Sequence, residues 1–194
     1  MKYLFLVLLS AIIFSGCGNN FELKENVIGK QIELVNQDSV QVQYPAIIKN
    51  KIAVIGFIYT HCPDICPMTT HNMQLAKEQL SKEELNTVKF LLISFDPERD
   101  TPSILSKYAA VRGMDMNEWE LLTGRKQNID SLMSLFNVKA FPDDTTFNEN
   151  GEPEYFMIHT DRISLVDENG NLRKNYRGST AKPEELVNDI RKLL

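Results

Sequence analysis

Two apolar runs, residues 52–59 and 88–95, stand out against a chain that otherwise alternates or repeats at helical spacing. Runs of this length without a polar face predict strands buried on both sides. Ahead of them, residues 31–35 and 40–44 alternate with a period of two around a polar stretch, which predicts a hairpin with one solvated face. A helix is predicted from about Pro67 to Leu80, where Cys66, Met73, Ala76 and Leu80 fall on one stripe. Thr101-Pro102 is helix-starting chemistry, and Gly113 ends that helix. A short strand at 119–122 and a helix marked by Ile129, Leu132, Met133 and Phe136 follow. Residues 142–153 are acidic and polar, a loop or exposed hairpin; 159–166 and 172–176 then read as paired strands around a turn at 167–170. Pro183 opens a last helix with Glu184 and Glu185 in its first turn and Arg191 and Lys192 at its end, matching the helix dipole. The order β-β-β-α-β-α-β-α-β-β-α predicts an α/β domain, a central mixed sheet with helices on both faces.

Charge and composition narrow the function. With 194 residues, 43% hydrophobic and 24% charged, the chain suits one domain with a sizeable core. A net charge of −5 and the absence of any long Lys/Arg cluster argue against nucleic acid. The first segment changes the picture more. Lys2 precedes a twelve-residue apolar stretch from Tyr3 to Phe14, too short to span a bilayer and right for a signal-peptide core. Ser15 and Gly16 then precede Cys17, in the manner of a bacterial lipoprotein signal. Residues 1–16 are therefore expected to be a signal peptide, Cys17 a lipid anchor, 17–29 a tether and 30–194 the folded domain. The expected location is outside the cytoplasm, on a membrane.

That assignment leaves Cys62 and Cys66 as an isolated pair within Thr60-His61-Cys62-Pro63-Asp64-Ile65-Cys66-Pro67. The motif joins a strand end to a helix start, where partial positive charge favours thiolate over thiol. Two neighbouring thiolates can form a disulfide or hold a soft metal ion. A disulfide across four residues closes a tiny loop and stabilises little, which argues against a purely structural role. Of the three histidines, His71 is expected on the surface, turned away from the sulfurs. His61 either lowers a thiol pKa or only shapes the turn. His159 shares the parity of Ile163 and Leu165, the inward side of a regular strand, as either a ligand or a satisfied interior residue. No fourth soft donor accompanies these groups, against a closed zinc site; Met68 and Met157 are read as packing. Asp96 and Asp100 are read as helix-capping and turn residues.

A cysteine pair closing a central strand and opening a helix is the arrangement of thioredoxin-like folds. The cysteine motif, the run from Ser94 to Thr101, the run from Trp119 to Gly124, and His159 followed by the stretch from Ile163 to Gly170 together resemble the Sco/SenC family over about residues 30–194. These are copper-delivery proteins for cytochrome c oxidase. The resemblance implies a thioredoxin-like fold, membrane anchorage, and copper held by Cys62, Cys66 and His159, with Cu(I) favoured by the soft donors and Cu(II) admissible. The implied partners are the copper-acceptor subunit of the oxidase and a thiol reductant protein. The resemblance also puts Asp96 and Asp100 near the site, as the alternative to capping and turn formation, and one departure is that Ile158 stands where the family commonly has an acidic residue. The alternative function is a thiol-disulfide oxidoreductase that reduces cysteines of the copper acceptor; it needs Cys62 and Cys66 but not His159.

Overall fold

The computed structural model describes residue 21 and residues 25–151 and 153–194. The signal segment 1–16 and Cys17 lie outside the described residues. The expected hairpin forms from β1 (Ile32–Asn36) and β2 (Gln41–Tyr44). The two apolar runs are β3 (Ile52–Ile58) and β4 (Val88–Ser94), and every residue of β3 is buried. They are followed by β5 (Trp119–Thr123), β10 (Ile163–Val166) and β11 (Leu172–Tyr176). Between β5 and β10 lie the short strands β6 (Ala140–Pro142), β7 (Thr146–Phe147), β8 (Pro153–Glu154) and β9 (Met157–His159). The main sheet has seven strands in the order β11-β10-β3-β4-β5-β1-β2. Strands β3, β4 and β5 run parallel, and the outer pairs are antiparallel.

The helices are α1 (Ile65–Glu78), α2 (Lys82–Leu85), α3 (Pro102–Val111), α4 (Lys126–Leu135) and α5 (Pro183–Arg191). Consecutive strand residues point to opposite faces of a sheet, and β3 shows what each face carries. Gly56 faces α1, where an added Cβ would lie 2.8 Å from Met73 Sδ, so the missing side chain lets the helix approach closely. Phe57 faces the other way, its ring 5.4 Å from that of Phe136, the residue that ends α4. Helices α1 and α4 therefore cover opposite faces, and the central strands are buried between them.

Three details differ from expectation. Helix α1 begins at Ile65, two residues early, because Pro67 is tolerated in a first turn whose N–H groups lack intrahelical partners. Helix α2 was not anticipated, although Ser81 and Glu84 form a reciprocal capping box there. Within the expected tether 17–29, Val27 packs into the fold. Val27 is fully buried, its carbonyl accepts from the Tyr44 hydroxyl at 2.6 Å, and its N–H donates to Gly170 O.

The expected strand 159–166 divides in two. β10 joins the main sheet, whereas β9 leaves it at Thr160-Asp161-Arg162 and pairs with β6 in a separate two-stranded ribbon. Asp161 causes part of this break by spending its carboxylate on Ser179 N (2.9 Å), Ser179 Oγ (2.6 Å) and Thr69 Oγ1 (3.2 Å). The acidic segment is an exposed hairpin continuing the same ribbon, with β7 paired to β8.

Candidate metal centre

β3 and α1 deliver the cysteines. The chain turns directly after Tyr59, and Cys62 N–H bonds back to Tyr59 O at 3.4 Å. Asp64 holds the N-cap position of α1 without a side-chain hydrogen bond to the helix. The Cys62 sulfur takes that role instead, accepting the Cys66 N–H at 3.3 Å. A thiolate there is favoured by the helix's unpaired N–H groups and positive end. The Cys66 thiol donating to Cys62 is the largest influence on the Cys62 pKa, followed by burial, which opposes ionisation; His159 and the N–H groups of Cys66 and Asp64 add to the lowering. Together they push it down to about 3. Cys66 moves in the opposite direction, held as a thiol by its bond to Cys62 and by burial. Both cysteines are free, Cys62 half-buried and Cys66 buried in the core. Residues 61–64, Cys62 among them, are not helical, so the loop rather than a helical face brings the two sulfurs together.

The ribbon delivers the histidine. Neighbouring residues of β9 point to opposite sides: Met157 and His159 inward, Ile158 outward against its register partner Phe141. The imidazole reaches the cysteines because of this local alternation, not through the parity of a continuous strand with Ile163. Its ring lies 4.8 Å from that of Phe95 and 6.0 Å from that of Tyr59, centroid to centroid. His159 Nδ1 is 3.2 Å from Thr160 O, a group that only accepts, so this nitrogen carries the proton. In the neutral ring Nε2 is then the lone-pair donor, 3.8 Å from Cys66 Sγ, and in the protonated ring it donates to Cys62. Burial opposes protonation of this ring, but the bond to Cys62 and the Thr160 carbonyl outweigh it and raise its pKa. Because Ile158 faces away from the site, an acidic residue at that position would not touch the imidazole from this strand, and Thr160 supplies the orienting contact.

Two polar clusters fix these elements. Fully buried Asp100 accepts from Thr60 N (3.0 Å), Thr60 Oγ1 (2.5 Å) and Ser94 Oγ (2.5 Å), pinning the loop two residues before Cys62. Asp96 accepts from Arg99 Nε and from the Tyr155 hydroxyl, while Arg99 donates to Tyr155 O at 3.0 Å and covers its ring at 3.7 Å. Burial first, then the Asp96 carboxylate, pushes the Tyr155 phenol up to about 12, so it stays a donor. The Tyr59 hydroxyl accepts Met157 N–H at 3.2 Å, tying β9 to the end of β3. The capping assigned to the two aspartates belongs instead to Thr101, whose hydroxyl caps α3. Their side chains reach across to the site because each is too buried to meet water.

The ligand atoms of Cys62, Cys66 and His159 all lie within 4.8 Å of one another. Metal–sulfur and metal–nitrogen bonds of about 2.3 and 2.0 Å in a three-coordinate site place donors roughly 3.5–4 Å apart, so little movement is needed to close on one ion. Two sulfurs and an imidazole suit a soft ion. His71 is exposed and borders a groove on the outer side of α1; His61 is exposed, with Nδ1 3.2 Å from Thr60 Oγ1. Met157 packs against the core as expected, but Met68 does not, being 46% exposed. Tyr59, Phe95, Arg99 and Tyr155, which hold the site's shape, were not singled out in the sequence. A tyrosine at a buried strand's end was the available signal, since a buried phenol needs a polar partner.

A profile of the SCO1/SenC family matches residues 22–194. A SCO1 protein homolog of Bacillus subtilis strain 168 is 30% identical over 157 residues, covering 80% of this chain and 77% of that one. The structure of Bradyrhizobium japonicum ScoI with copper bound superposes with a TM-score of 0.73 at 29% identity, covering 86% of this chain and 99% of that one. BsSco, described as a member of the Sco family of cytochrome c oxidase assembly proteins with a disulfide switch, gives a TM-score of 0.66 at 26% identity, covering 90% and 95%. A thioredoxin-like sheet, a Cys-x-x-x-Cys turn opening α1 and a histidine brought over it by a ribbon make this chain a member of the SCO1/SenC family.

Proposed function

We propose that this protein is a membrane-tethered copper carrier that delivers its ion to a respiratory cytochrome c oxidase during assembly. The observation that carries the reading is the convergence of Cys62, Cys66 and His159, drawn from two elements 93 residues apart, on a volume fit for one soft ion. Cu(I) is the favoured cargo. One sulfur is already a thiolate, and binding displaces the proton of the other. Three ligands leave the ion open to an incoming donor, and ligand exchange then passes it to the acceptor subunit. Lipid on Cys17 would hold the domain at the outer face of a membrane, and a thiol reductant would keep the cysteine pair reduced. The relatives described as copper-bound and as oxidase assembly proteins support this reading.

Cu(I) competition titration of the full chain tests it. One ion should bind per chain, and His159→Ala should weaken binding by more than about a hundredfold, beyond the usual effect of losing only an orienting partner. Wild-type affinity in that variant refutes the three-ligand site.

A second reading rests on the contrast between the half-exposed Cys62 thiolate and the buried Cys66 thiol, which suits an attacking and a resolving sulfur. In a thiol-disulfide oxidoreductase, Cys62 would attack a target disulfide and Cys66 would release the mixed disulfide, oxidising this pair as the target is reduced. Turnover on a disulfide peptide that survives His159→Ala would favour it.

A further inference from the structure

The outer side of the ribbon is apolar and acidic, and nothing in the copper site accounts for it. Phe141, Phe147, Phe156 and Ile158 are 52%, 70%, 62% and 49% exposed. Phe141 and Ile158 are a cross-strand pair on the face of β6 and β9 opposite His159. Scattered exposed apolar residues need no explanation, but a cluster of large ones on a two-stranded ribbon does. Charge is equally uneven. Residues 140–158 contain Asp143, Asp144, Glu149, Glu152 and Glu154 and no Lys or Arg. With these five set aside, the chain's other 21 acidic residues equal its 21 Lys and Arg, so the whole net charge of −5 sits on the segment that carries the histidine.

The cleft at the ribbon's inner edge, of about 850 Å³, is bordered by Phe156, Glu154, Asp144 and Glu98 and reaches His61, the neighbour of Cys62. Its one guanidinium, that of Arg99, is engaged by Asp96. One aromatic of the apolar cluster, three carboxylates and the residue beside Cys62 therefore share one cleft.

We propose that this ribbon is the docking surface for the copper acceptor, and that the acceptor presents a basic rim around an apolar patch beside its own copper-binding side chains. The proposal rests on the delivery reading above. An acceptor must bring a donor atom within bonding distance of the ion, so its surface must cover whatever borders Cys62. Aromatic side chains supply contact area there, and the carboxylates steer a basic partner and fix its orientation. A symmetric contact between two copies would set one acidic ribbon against another, and an anionic bilayer would repel the same charges.

The test measures Cu(I) transfer from the loaded full chain, in detergent, to the copper-acceptor subunit of the oxidase. Three proteins are compared: wild type, Phe141→Ser with Phe156→Ser, and Asp143→Lys with Asp144→Lys. All four positions are exposed, so each variant should keep its Cu(I) affinity. Transfer at limiting acceptor should slow about tenfold or more in the aromatic variant, the usual consequence of truncating interface anchors. Charge reversal should slow it comparably at low salt, with the difference shrinking as ionic strength rises. Equal transfer rates in all three proteins overturn the docking surface while leaving delivery intact. Self-association or vesicle binding abolished by the variants while transfer is unchanged reassigns the ribbon and also overturns the proposal. A wild-type protein that transfers no copper refutes the delivery reading itself.

Discussion

Replacing Asp100 by Asn isolates the support of the cysteine loop from the copper ligands. The carboxylate is fully buried and receives three donors, two from Thr60 and one from Ser94. Ser94 Oγ accepts from Asp96 N at 3.1 Å, so its proton is committed to Asp100. An amide keeps one oxygen for two of the donors and turns an NH2 group on the third. Hydrogen bonds to a charged group are worth about 1.5–3 kcal/mol, and the donor left over, the half-buried Thr60 hydroxyl, loses its acceptor. Burial holds the Asp100 pKa above the usual carboxylate range, so removing the charge returns part of that loss. The net cost is about 2–4 kcal/mol, which for a domain of this size lowers Tm by roughly 5–15 °C. Freed at Thr60, the loop no longer holds Cys62 in place, and Cu(I) affinity should fall about tenfold, a value of about 1.4 kcal/mol. Thermal unfolding of the apo protein and Cu(I) competition titration read the two effects separately. A Tm within about 2 °C of wild type, with unchanged affinity, would show that the cluster does not support the site.

Three further outcomes follow from particular contacts. Alkylation of Cys62 should proceed at pH 5, with its rate inflecting near pH 3, while Cys66 stays unreactive; peptide mapping after timed labelling separates them. Asp189 is buried, which pushes its pKa up, but Lys174, Lys192 and the Tyr176 hydroxyl more than offset this and hold it below the usual range. A depressed pKa gives stability that is present above the unfolded value of about 3.9 and lost as pH falls through the folded value. Asp189→Ala should thus cost about 2 kcal/mol in urea unfolding at pH 7, discounted for the part-exposed lysines, and much less at pH 2. Gly56→Ala should destabilise by about 1–2 kcal/mol in the same assay, because the new methyl group meets Met73 Sδ at 2.8 Å and Leu92 Cδ2 at 3.0 Å and the flexible methionine yields only in part.

The parts of the fold visible in the residue pattern were those decided by local burial. An apolar run such as Ile52–Ile58 has no solvated face, and the stripe from Cys66 to Met73 and Ala76 has one only on its far side, so strand and helix followed directly. Likewise the cysteine motif declared its chemistry through spacing and its place at a strand end. The path from His159 to Ile163 was not legible in the same way. Its alternation fits one strand, and only long-range contacts of Asp161, 18 residues from Ser179 and 92 from Thr69, divide it. The role of Asp100 is hidden in the sequence for a related reason. Before Thr-Pro an aspartate looks like capping chemistry, and its true partner, Thr60, is 40 residues away. Two of the histidine's partners, the rings of Tyr59 and Phe95 just past the ends of β3 and β4, are non-local too, and only the Thr160 carbonyl comes from the adjoining residue. Pairings of that kind depend on which strands become neighbours, and the residues along one strand do not encode it.

The unequal burial of the two sulfurs has a consequence for any ion they share. Solvent and visitors reach the side of Cys62 and His159, because Cys66 is walled in by the core at 1% exposure. A competing donor would therefore meet the outermost bond before the innermost, which would give unloading a direction. Such one-sidedness lets a protein grip its cargo firmly against bulk water and still surrender it quickly to whatever fits the open side.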